Sequence, residues 1–462
     1  MPDQRARRKG PRRAARAAGC AAPLLALLVQ LTGCAPTDGP GDQYPGAQRM
    51  LDARAEAVRR HDAAAFLASV DPRATAFRGR QRAVFDHLAA VPLADWRYDL
   101  VSTGAFPLPL GDGRRLAAQV RLRYRLKGFD TAPVTSVQYL TLTERGGRWL
   151  VSSDSDGAGD GKGGSRQLWD QGPVRVVRGR YSLVLGGAAD LSRLRDLASR
   201  VDAAVPAVSA AWKGAWARKV VVEAPDSVER MAQLMGGDDP SGYAGIAAVT
   251  TGEAGSSAAA PADRVIVNPD AYEELNDLGR SVVLTHETTH VATRALTTSA
   301  TPLWLSEGFA DWVAYRKVNR RPAVTAPELS RAVAAGREPA SLPGDADFGF
   351  RAGADRLAKA YEGGWLACRL IAEKWGEDRL IAFYRDTGRR GLHDAAAGTA
   401  TGPMEARTVA PTVRAGSAAS AVDGGSRSGR SGLVERAMRE QLGVGLTEFT
   451  AMWRAYVRRE LG

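Results

Sequence analysis

Cysteine is scarce in this sequence, with only three residues among 462. Cys20 and Cys34 lie near the N-terminus, so Cys368 is the only cysteine in the rest of the chain. A single thiol cannot form an intramolecular disulfide, and no two cysteines have the spacing of a zinc finger. A disulfide scaffold and a cysteine-rich metal site are therefore both excluded. Any metal would have to be bound by histidine and carboxylate side chains.

Acidic residues are outnumbered by basic ones, which gives the chain a formal charge of +12. Much of this excess lies in residues 1–33, where seven Lys or Arg residues face one Asp. The remainder is spread along the chain, without a dense basic stripe or interleaved aromatic residues. We therefore expect no nucleic-acid partner. The hydrophobic fraction of 44% is ordinary for a globular protein, and the length allows two or three domains.

The first 33 residues have the layout of a signal peptide. Basic residues precede an apolar run, Ala21 to Leu31, that is too short for a membrane span of about 20 residues. Its end, Leu31-Thr32-Gly33-Cys34, resembles the lipobox of bacterial lipoproteins. The resemblance implies that Cys34 carries lipid on the extracellular face of the cell membrane; the alternative is an ordinary cleaved signal with an incidental cysteine. Residues 34–46 are predicted to be a flexible tether.

Residues 47–153 combine a helical pattern with strand-like segments. Apolar residues recur with helical spacing over 47–70. The predicted strands are Trp96–Phe106, Leu116–Leu126, Val134–Thr143 and Arg148–Ser153. A helix followed by an antiparallel sheet predicts an α+β domain. The segment from Ala57 to Phe66 and the strands after it resemble the nuclear-transport-factor-like cone fold. Residues 154–173, which begin with a Gly, Asp and Ser run, are predicted to be a linker.

From residue 174 the pattern changes and predicts a second domain over 174–393. Its predicted strands are Val174–Val177, Tyr181–Leu185, Lys219–Glu223 and Arg264–Val267, and its first helices cover about 190–212 and 227–235. Residues 394–431 are mostly Ala, Gly, Ser, Thr and Arg without apolar periodicity, so we expect a disordered insertion. Residues 432–462 return to an amphipathic helical pattern that we expect to pack on the second domain.

Two of the five histidines in the chain lie four residues apart, in His286-Glu287-Thr288-Thr289-His290. The surrounding segment has helical apolar spacing and contains no Pro or Gly from Val282 to Val291. On a helix, positions i and i+4 face the same way, so both imidazoles can bind one ion. A closed structural zinc site would need a fourth protein ligand, whereas a catalytic site keeps that position for water.

The residues after this motif distinguish between classes of zinc peptidase. The metzincin pattern needs a Gly and a third His where this chain has Thr293 and Leu296, so that class is excluded. Instead, Trp304-Leu305-Ser306-Glu307-Gly308-Phe309-Ala310-Asp311-Trp312 follows. Together with the HExxH motif, this segment resembles the gluzincins, the thermolysin-like and aminopeptidase-like metallopeptidases, and most closely their peptidase-MA-like branch. The resemblance spans roughly residues 174–390 and 432–461.

The gluzincin resemblance implies a mainly helical catalytic domain with a small β-sheet and one Zn²⁺ per chain. It makes Glu307 the third ligand beside His286 and His290. It makes Asp311 a carboxylate that orients a ligand histidine. The alternative is that Glu307 and Asp311 lie on a solvent-exposed helix face and have no role in metal binding. Glu287 would be the general base that takes a proton from the attacking water and delivers it to the leaving amine.

Two further predictions rest on the same resemblance. Tyr361 lies where relatives carry a tyrosine after the third ligand, which would make it an oxyanion donor, although a packing role is equally open. In gluzincins the strand before the active-site helix is an exposed edge that binds the substrate backbone, and Val265–Val267 fits that place by its order in the chain. The Gly-x-Met-Glu-Asn sequence of the aminopeptidases does not precede the motif, which favours an endopeptidase.

The sequence therefore predicts a lipid-anchored extracellular zinc peptidase that acts on peptide or protein substrates. The alternative is a lipoprotein without enzymatic activity, in which residues 47–153 bind a ligand or partner and the peptidase-like domain is a scaffold. The complete set of two histidines, one carboxylate ligand and a general base favours the enzyme, because the loss of any one of them would disable catalysis.

Overall fold

The computed structural model describes residues 40–187, 190–237, 239–251, 263–349, 353–399 and 424–462. The predicted signal peptide, Cys34 and most of the predicted insertion lie outside these ranges. Within them the chain is a mixture of helix and strand, which is compatible with the predicted α+β class. No helix among the described residues is long and apolar enough to cross a membrane.

Four helices open the described chain. They are α1 (Pro40–Gln43), α2 (Pro45–Arg59), α3 (Ala63–Ala68) and α4 (Thr75–His87). The prediction of a flexible tether is wrong for residues 40–46, which are mostly helical. The helix predicted over 47–70 is interrupted because His61 has a left-handed φ of 54°. The Asp62 carboxylate then caps α3 by accepting a hydrogen bond from the Ala65 amide at 2.9 Å. Helix α4 has no counterpart in the prediction.

A four-stranded antiparallel sheet follows, with its strands adjacent in chain order. The strands are β1 (Leu93–Thr103), β2 (Arg115–Leu126), β3 (Val134–Arg145) and β4 (Arg148–Ser153). The two glycines between β3 and β4, Gly146 and Gly147, have φ angles of 54° and 75°, which glycine adopts without a steric penalty. Helix α2 buries Leu51 and Val58 in the same hydrophobic core as the sheet.

The second sheet has five strands in the order β5-β6-β7-β9-β8. They are β5 (Arg175–Arg178), β6 (Ser182–Gly186), β7 (Val220–Ala224), β8 (Ala248–Thr251) and β9 (Arg264–Val267). Strands β6, β7 and β9 run parallel, and each outer strand pairs antiparallel with its neighbour. The prediction that Val265–Val267 form an exposed edge is wrong, because β9 lies between β7 and β8 and is buried throughout. The edge strand on this side of the sheet is β8, which was not predicted from the sequence.

The remaining helices of the described chain follow the first sheet in sequence, and many of them pack together in a separate helical core. They are α5 (Leu168–Gln171), α6 (Leu191–Ala211), α7 (Val228–Leu234), α8 (Pro269–Glu273), α9 (Asp277–Thr293), α10 (Leu303–Tyr315), α11 (Pro322–Thr325), α12 (Pro327–Ala334), α13 (Ala354–Trp375), α14 (Glu377–Thr399), α15 (Gly424–Leu442) and α16 (Leu446–Leu461). Helices α14 and α15 extend into the predicted insertion at residues 394–399 and 424–431, and the remainder of that segment lies outside the described residues. The predicted C-terminal helical segment corresponds to α15 and α16, which contribute Phe449 and Trp453 to the helical core.

Helices α10 and α13 approach each other closely at a pair of glycines. A Cβ added to Gly308 would lie 2.2 Å from the carbonyl oxygen of Gly364. Without side chains at this crossing, the two backbones come near enough for Leu305 and Phe309 to be fully buried between their neighbours. This contact fixes the helix that carries Glu307 against the helix that carries Tyr361.

The two sheets share one hydrophobic core. Leu168 and Trp169, in the predicted linker 154–173, are each only 2% exposed. They belong to the same buried cluster as Leu183 of β6 and Val221 of β7, together with residues of the first sheet. The predicted linker therefore ends in a helix that packs into this core and does not leave a free hinge between two separate domains.

Candidate metal centre

Helix α9 carries both histidines of the HExxH motif. It begins after Asn276, whose side chain caps it by accepting a hydrogen bond from the Gly279 amide at 2.9 Å. The helix buries Leu284 and Ala292, which anchor it against the second sheet and the helical core. The hydroxyls of its threonines donate to backbone carbonyls one turn earlier, and these donors are Thr285, Thr288 and Thr289. These bonds satisfy the hydroxyls of Thr288 and Thr289, which are buried.

Helix α10 packs beside α9 and directs Glu307 toward both histidines. The Nε2 atom of His290 lies 3.0 Å from Nε2 of His286 and 3.2 Å from Oε2 of Glu307. The third side of this triangle, from His286 Nε2 to Glu307 Oε2, is 3.3 Å. Three potential ligand atoms from two helices thus converge on one point.

The triangle has the dimensions of a tetrahedral zinc site. Ligand bonds of about 2.05 Å at tetrahedral angles place neighbouring ligand atoms about 3.3 Å apart. Two imidazole nitrogens and one carboxylate oxygen are also a donor set that zinc prefers. Among the described residues, no fourth His, Cys, Asp or Glu joins the group. The residues therefore fit a zinc ion with one position open, as in catalytic sites.

Asp311 holds the ring of His286 from the side opposite the triangle. Its Oδ1 accepts a hydrogen bond from Nδ1 of His286 at 2.8 Å, one helical turn beyond Glu307. This bond places the proton of a neutral imidazole on Nδ1 and leaves Nε2 with a free lone pair. Asp311 and Glu307 are each largely buried, with side chains 15% exposed, so they are not a solvated helix face.

The electrostatics of the cluster follow from burial and mutual contact. Burial alone would raise the pKa of Glu307, but the adjacent imidazoles of His290 and His286 outweigh it and hold this pKa well below its usual range. Burial likewise opposes protonation of His286, yet Asp311, Glu307 and Glu287 raise the pKa of the imidazole well above its ordinary value. The site therefore strongly favours positive charge at the point where the three ligand atoms converge.

Glu287 lies next to the triangle but is not part of it. Its side chain is buried, and its Oε2 accepts a hydrogen bond from the hydroxyl of Thr250 at 2.5 Å. Thr250 lies on edge strand β8, and the contact of this strand with α9 could not be predicted from local sequence patterns. The residues of β8, Ala248-Val249-Thr250-Thr251, do not alternate between apolar and polar, so they show no recognisable strand pattern.

Tyr361 lies at the rim of the cluster on helix α13. Its ring centroid is 6.1 Å from that of His286 and 5.3 Å from that of Phe348. Burial, followed by the nearby carboxylates of Glu307, Asp311 and Glu287, raises the pKa of the phenol well above its ordinary value. The hydroxyl is therefore protonated at neutral pH and able to donate a hydrogen bond, while the ring also packs against Phe348.

Comparison of the chain with protein-family models, with curated proteins and with solved structures finds no significant match. The gluzincin resemblance thus depends on the residues of the motif and on the geometry of the cluster that they form. Cys34, the predicted lipid attachment site, lies outside the described residues, and its role stays a prediction.

Proposed function

We propose that this protein is a zinc-dependent peptidase of the gluzincin type. The observation that carries the proposal is the triangle of His286, His290 and Glu307, with sides of 3.0 to 3.3 Å and a separate buried carboxylate, Glu287, beside it. A structural zinc site would use a fourth protein ligand and would not need a carboxylate adjacent to the open position. A catalytic site needs both the open position and the base.

Different residues of the chain have different roles in the proposed reaction. When bound, a zinc ion supplies a Lewis acid for a peptide carbonyl and lowers the pKa of water. His286, His290 and Glu307 hold the ion, and Asp311 keeps His286 in the tautomer that can bind it. Glu287 accepts the proton of the attacking water and then delivers it to the leaving amine.

The Tyr361 hydroxyl is the proposed donor to the oxyanion that forms on the substrate carbonyl. Its position beside Glu307 and its protonated state support this role, and its contact with Phe348 supports the packing role equally.

Strand β8 replaces β9 as the proposed substrate-binding edge. Among the described strands it pairs only with β9, so no described strand occupies its other side, where an extended peptide could pair with the backbone. Its Thr250 contacts Glu287, so a peptide added to this edge would run past the general base. An extended substrate that pairs along a strand suits an endopeptidase, and proteins or peptides are the proposed substrates.

The proposed location is the extracellular face of a bacterial cell membrane, with the protein anchored by lipid on Cys34. Replacement of Cys34 by Ala is expected to abolish lipid attachment, because the thiol is the acceptor. Labelling of cells with a radioactive fatty acid measures this directly. Label that persists on the Cys34→Ala variant would contradict the assignment.

Two variants test the peptidase proposal. Glu287→Gln is expected to retain one zinc per chain but to lose hydrolysis of a quenched fluorescent peptide library by a factor of about 100 or more, because an amide cannot accept the proton. His290→Ala is expected to lose the metal as well as the activity. Zinc is measured by atomic emission on the purified protein.

Glu274→Gln is the matched control, since Glu274 is exposed at the end of α8, and it is expected to behave as the parent protein. Substantial turnover by Glu287→Gln would refute the mechanism. A parent protein that binds no zinc and hydrolyses no peptide would favour the lipoprotein without enzymatic activity.

A further inference from the structure

Thr250 is the only described side chain that donates a hydrogen bond to the Glu287 carboxylate. Its hydroxyl lies 2.5 Å from Oε2 of Glu287 and 3.2 Å from the main-chain oxygen of the same residue. A hydroxyl has one proton, so the shorter contact with the charged carboxylate is the stronger bond. The strand therefore makes a directed contact with this particular residue of α9.

The direction of this contact follows from the pairing of β8. Thr250 is opposite Val265 of β9 in the antiparallel register. Side chains alternate along a strand, so Thr250 and Ala248 share one face and Val249 lies on the other. Ala248 belongs to the same buried cluster as Leu284 of α9, whereas Val249 packs against the cluster around Ile266. Thr250 thus reaches α9 because the register of β8 places it on the face that packs there.

We propose that Thr250 is a positioning residue for Glu287. This inference depends on the proposed function, in which Glu287 is the general base. A hydrogen bond to Oε2 restricts the rotation of the carboxylate and leaves Oε1 free to take a proton from water. Because the same strand is the proposed substrate edge, β8 sets the position of the base relative to the peptide that it binds.

Substitutions at position 250 separate the hydroxyl from the shape of the side chain. Thr250→Val keeps the branched shape and removes only the hydroxyl, so kcat is expected to fall about tenfold or more, while KM stays within about twofold. Thr250→Ser keeps the hydroxyl and is expected to stay within about threefold of the parent kcat. Thr250→Ala is a second variant without a hydroxyl, in case the valine variant does not fold. All three are expected to bind one zinc.

Thr285→Val is the matched control. The Thr285 hydroxyl donates to the Ser281 carbonyl at 2.7 Å within helix α9, and not to a carboxylate. The same change of side chain at this position is expected to leave kcat and KM at parent values. An equal loss of activity in Thr285→Val and Thr250→Val would show a general effect on α9 and would overturn the inference.

Crystal structures of the metal-free Thr250→Val and Thr250→Ser proteins provide a readout that does not depend on activity. The Glu287 carboxylate is expected to leave its present position in the valine variant and to keep it in the serine variant. An unmoved carboxylate in Thr250→Val, or a rise in KM with unchanged kcat, would overturn the positioning role. Turnover that survives in Glu287→Gln would instead refute the proposed function, and the crystal structures would still decide what Thr250 does to Glu287.

Discussion

Three buried carboxylates meet two imidazoles around the proposed metal position. Glu307, Asp311 and Glu287 together carry three negative charges when ionised, and burying a carboxylate without compensation is unfavourable. Proton uptake by His286 compensates part of this charge, as its raised pKa indicates. A divalent cation would compensate it more completely and would leave the imidazoles neutral. A metal ion and a proton therefore compete for the Nε2 atom of His286.

Tyr361 allows a test at the level of a single oxygen atom. Tyr361→Phe keeps the ring that packs against Phe348 and removes the hydroxyl. If the hydroxyl stabilises the oxyanion, kcat is expected to fall by about 100-fold or more, with unchanged zinc content and melting temperature. Steady-state kinetics with a peptide substrate measure this.

Tyr456→Phe is the matched control for that substitution. Tyr456 is also buried, and its hydroxyl contacts Glu373 at 2.7 Å on helices that carry none of the proposed ligands. Parent-like turnover in both variants would make Tyr361 a packing residue. The search for a donor would then move to Tyr315 and Tyr384, although the hydroxyl of Tyr384 already contacts Thr297 at 2.8 Å.

Among the helices, the crossing of α10 and α13 determines how the ligand and the proposed donor face each other. Gly308→Ala would place a methyl group 2.2 Å from the Gly364 carbonyl oxygen, so the helices would have to separate. Replacing a helical glycine by alanine normally stabilises a protein, but here we expect a loss of about 1–3 kcal/mol from overpacking. Urea denaturation measures the change in the free energy of unfolding.

Gly79→Ala provides the comparison for Gly308→Ala. Gly79 lies within helix α4, and no atom is within 4 Å of a Cβ built there. This variant is expected to be about 0.5–1 kcal/mol more stable than the parent, because only the helix propensity changes. Stabilisation by both substitutions would mean that α10 and α13 do not touch at these glycines.

At the scale of the whole molecule, one buried ion pair connects the first sheet to the second. The guanidinium of Arg264, on β9, donates to both carboxylate oxygens of Asp130 at 2.9 and 2.8 Å. Asp130 follows β2, and both side chains are at most 5% exposed. Glu223 of β7 is a second carboxylate near the same guanidinium, at 3.6 Å. Together with the shared hydrophobic core, this pair links the N-terminal part to the strand beside β8.

Breaking the buried pair is expected to destabilise the whole chain. Asp130→Ala leaves the buried Arg264 charge with only the longer contact to Glu223 and removes a bond to the Leu126 amide, so we expect a loss of about 3 kcal/mol. Asp99→Ala removes the partner of Arg123, a pair that is more than a third exposed, and is expected to cost under about 1 kcal/mol. Chemical denaturation compares the two variants. Equal denaturation midpoints for the two variants would contradict a stabilising role of the ion pair between Asp130 and Arg264.

The residues of the candidate site were predicted partly from local spacing and partly from the resemblance to the gluzincins, which singled out Glu307, Asp311 and Tyr361. The i and i+4 spacing places His286 and His290 on one face of any helix that contains them. The same rule places Glu307 and Asp311 on one face of the following helix, so their side-by-side positions were readable from the sequence. Most strands of both sheets were also predicted within a few residues, because alternation and turn residues are local signals.

Only the tertiary structure decided which strand is the edge and which side chain contacts the general base. The order β7-β9-β8 depends on pairing between segments that are separate in sequence, and no local pattern in the four residues of β8 records it. Glu287 and Thr250 are 37 positions apart, so their contact exists only once β8 has paired with β9 and packed on α9. For the same reason, the burial of Leu168 and Trp169 in the predicted linker could not be read from composition, because it depends on the completed core.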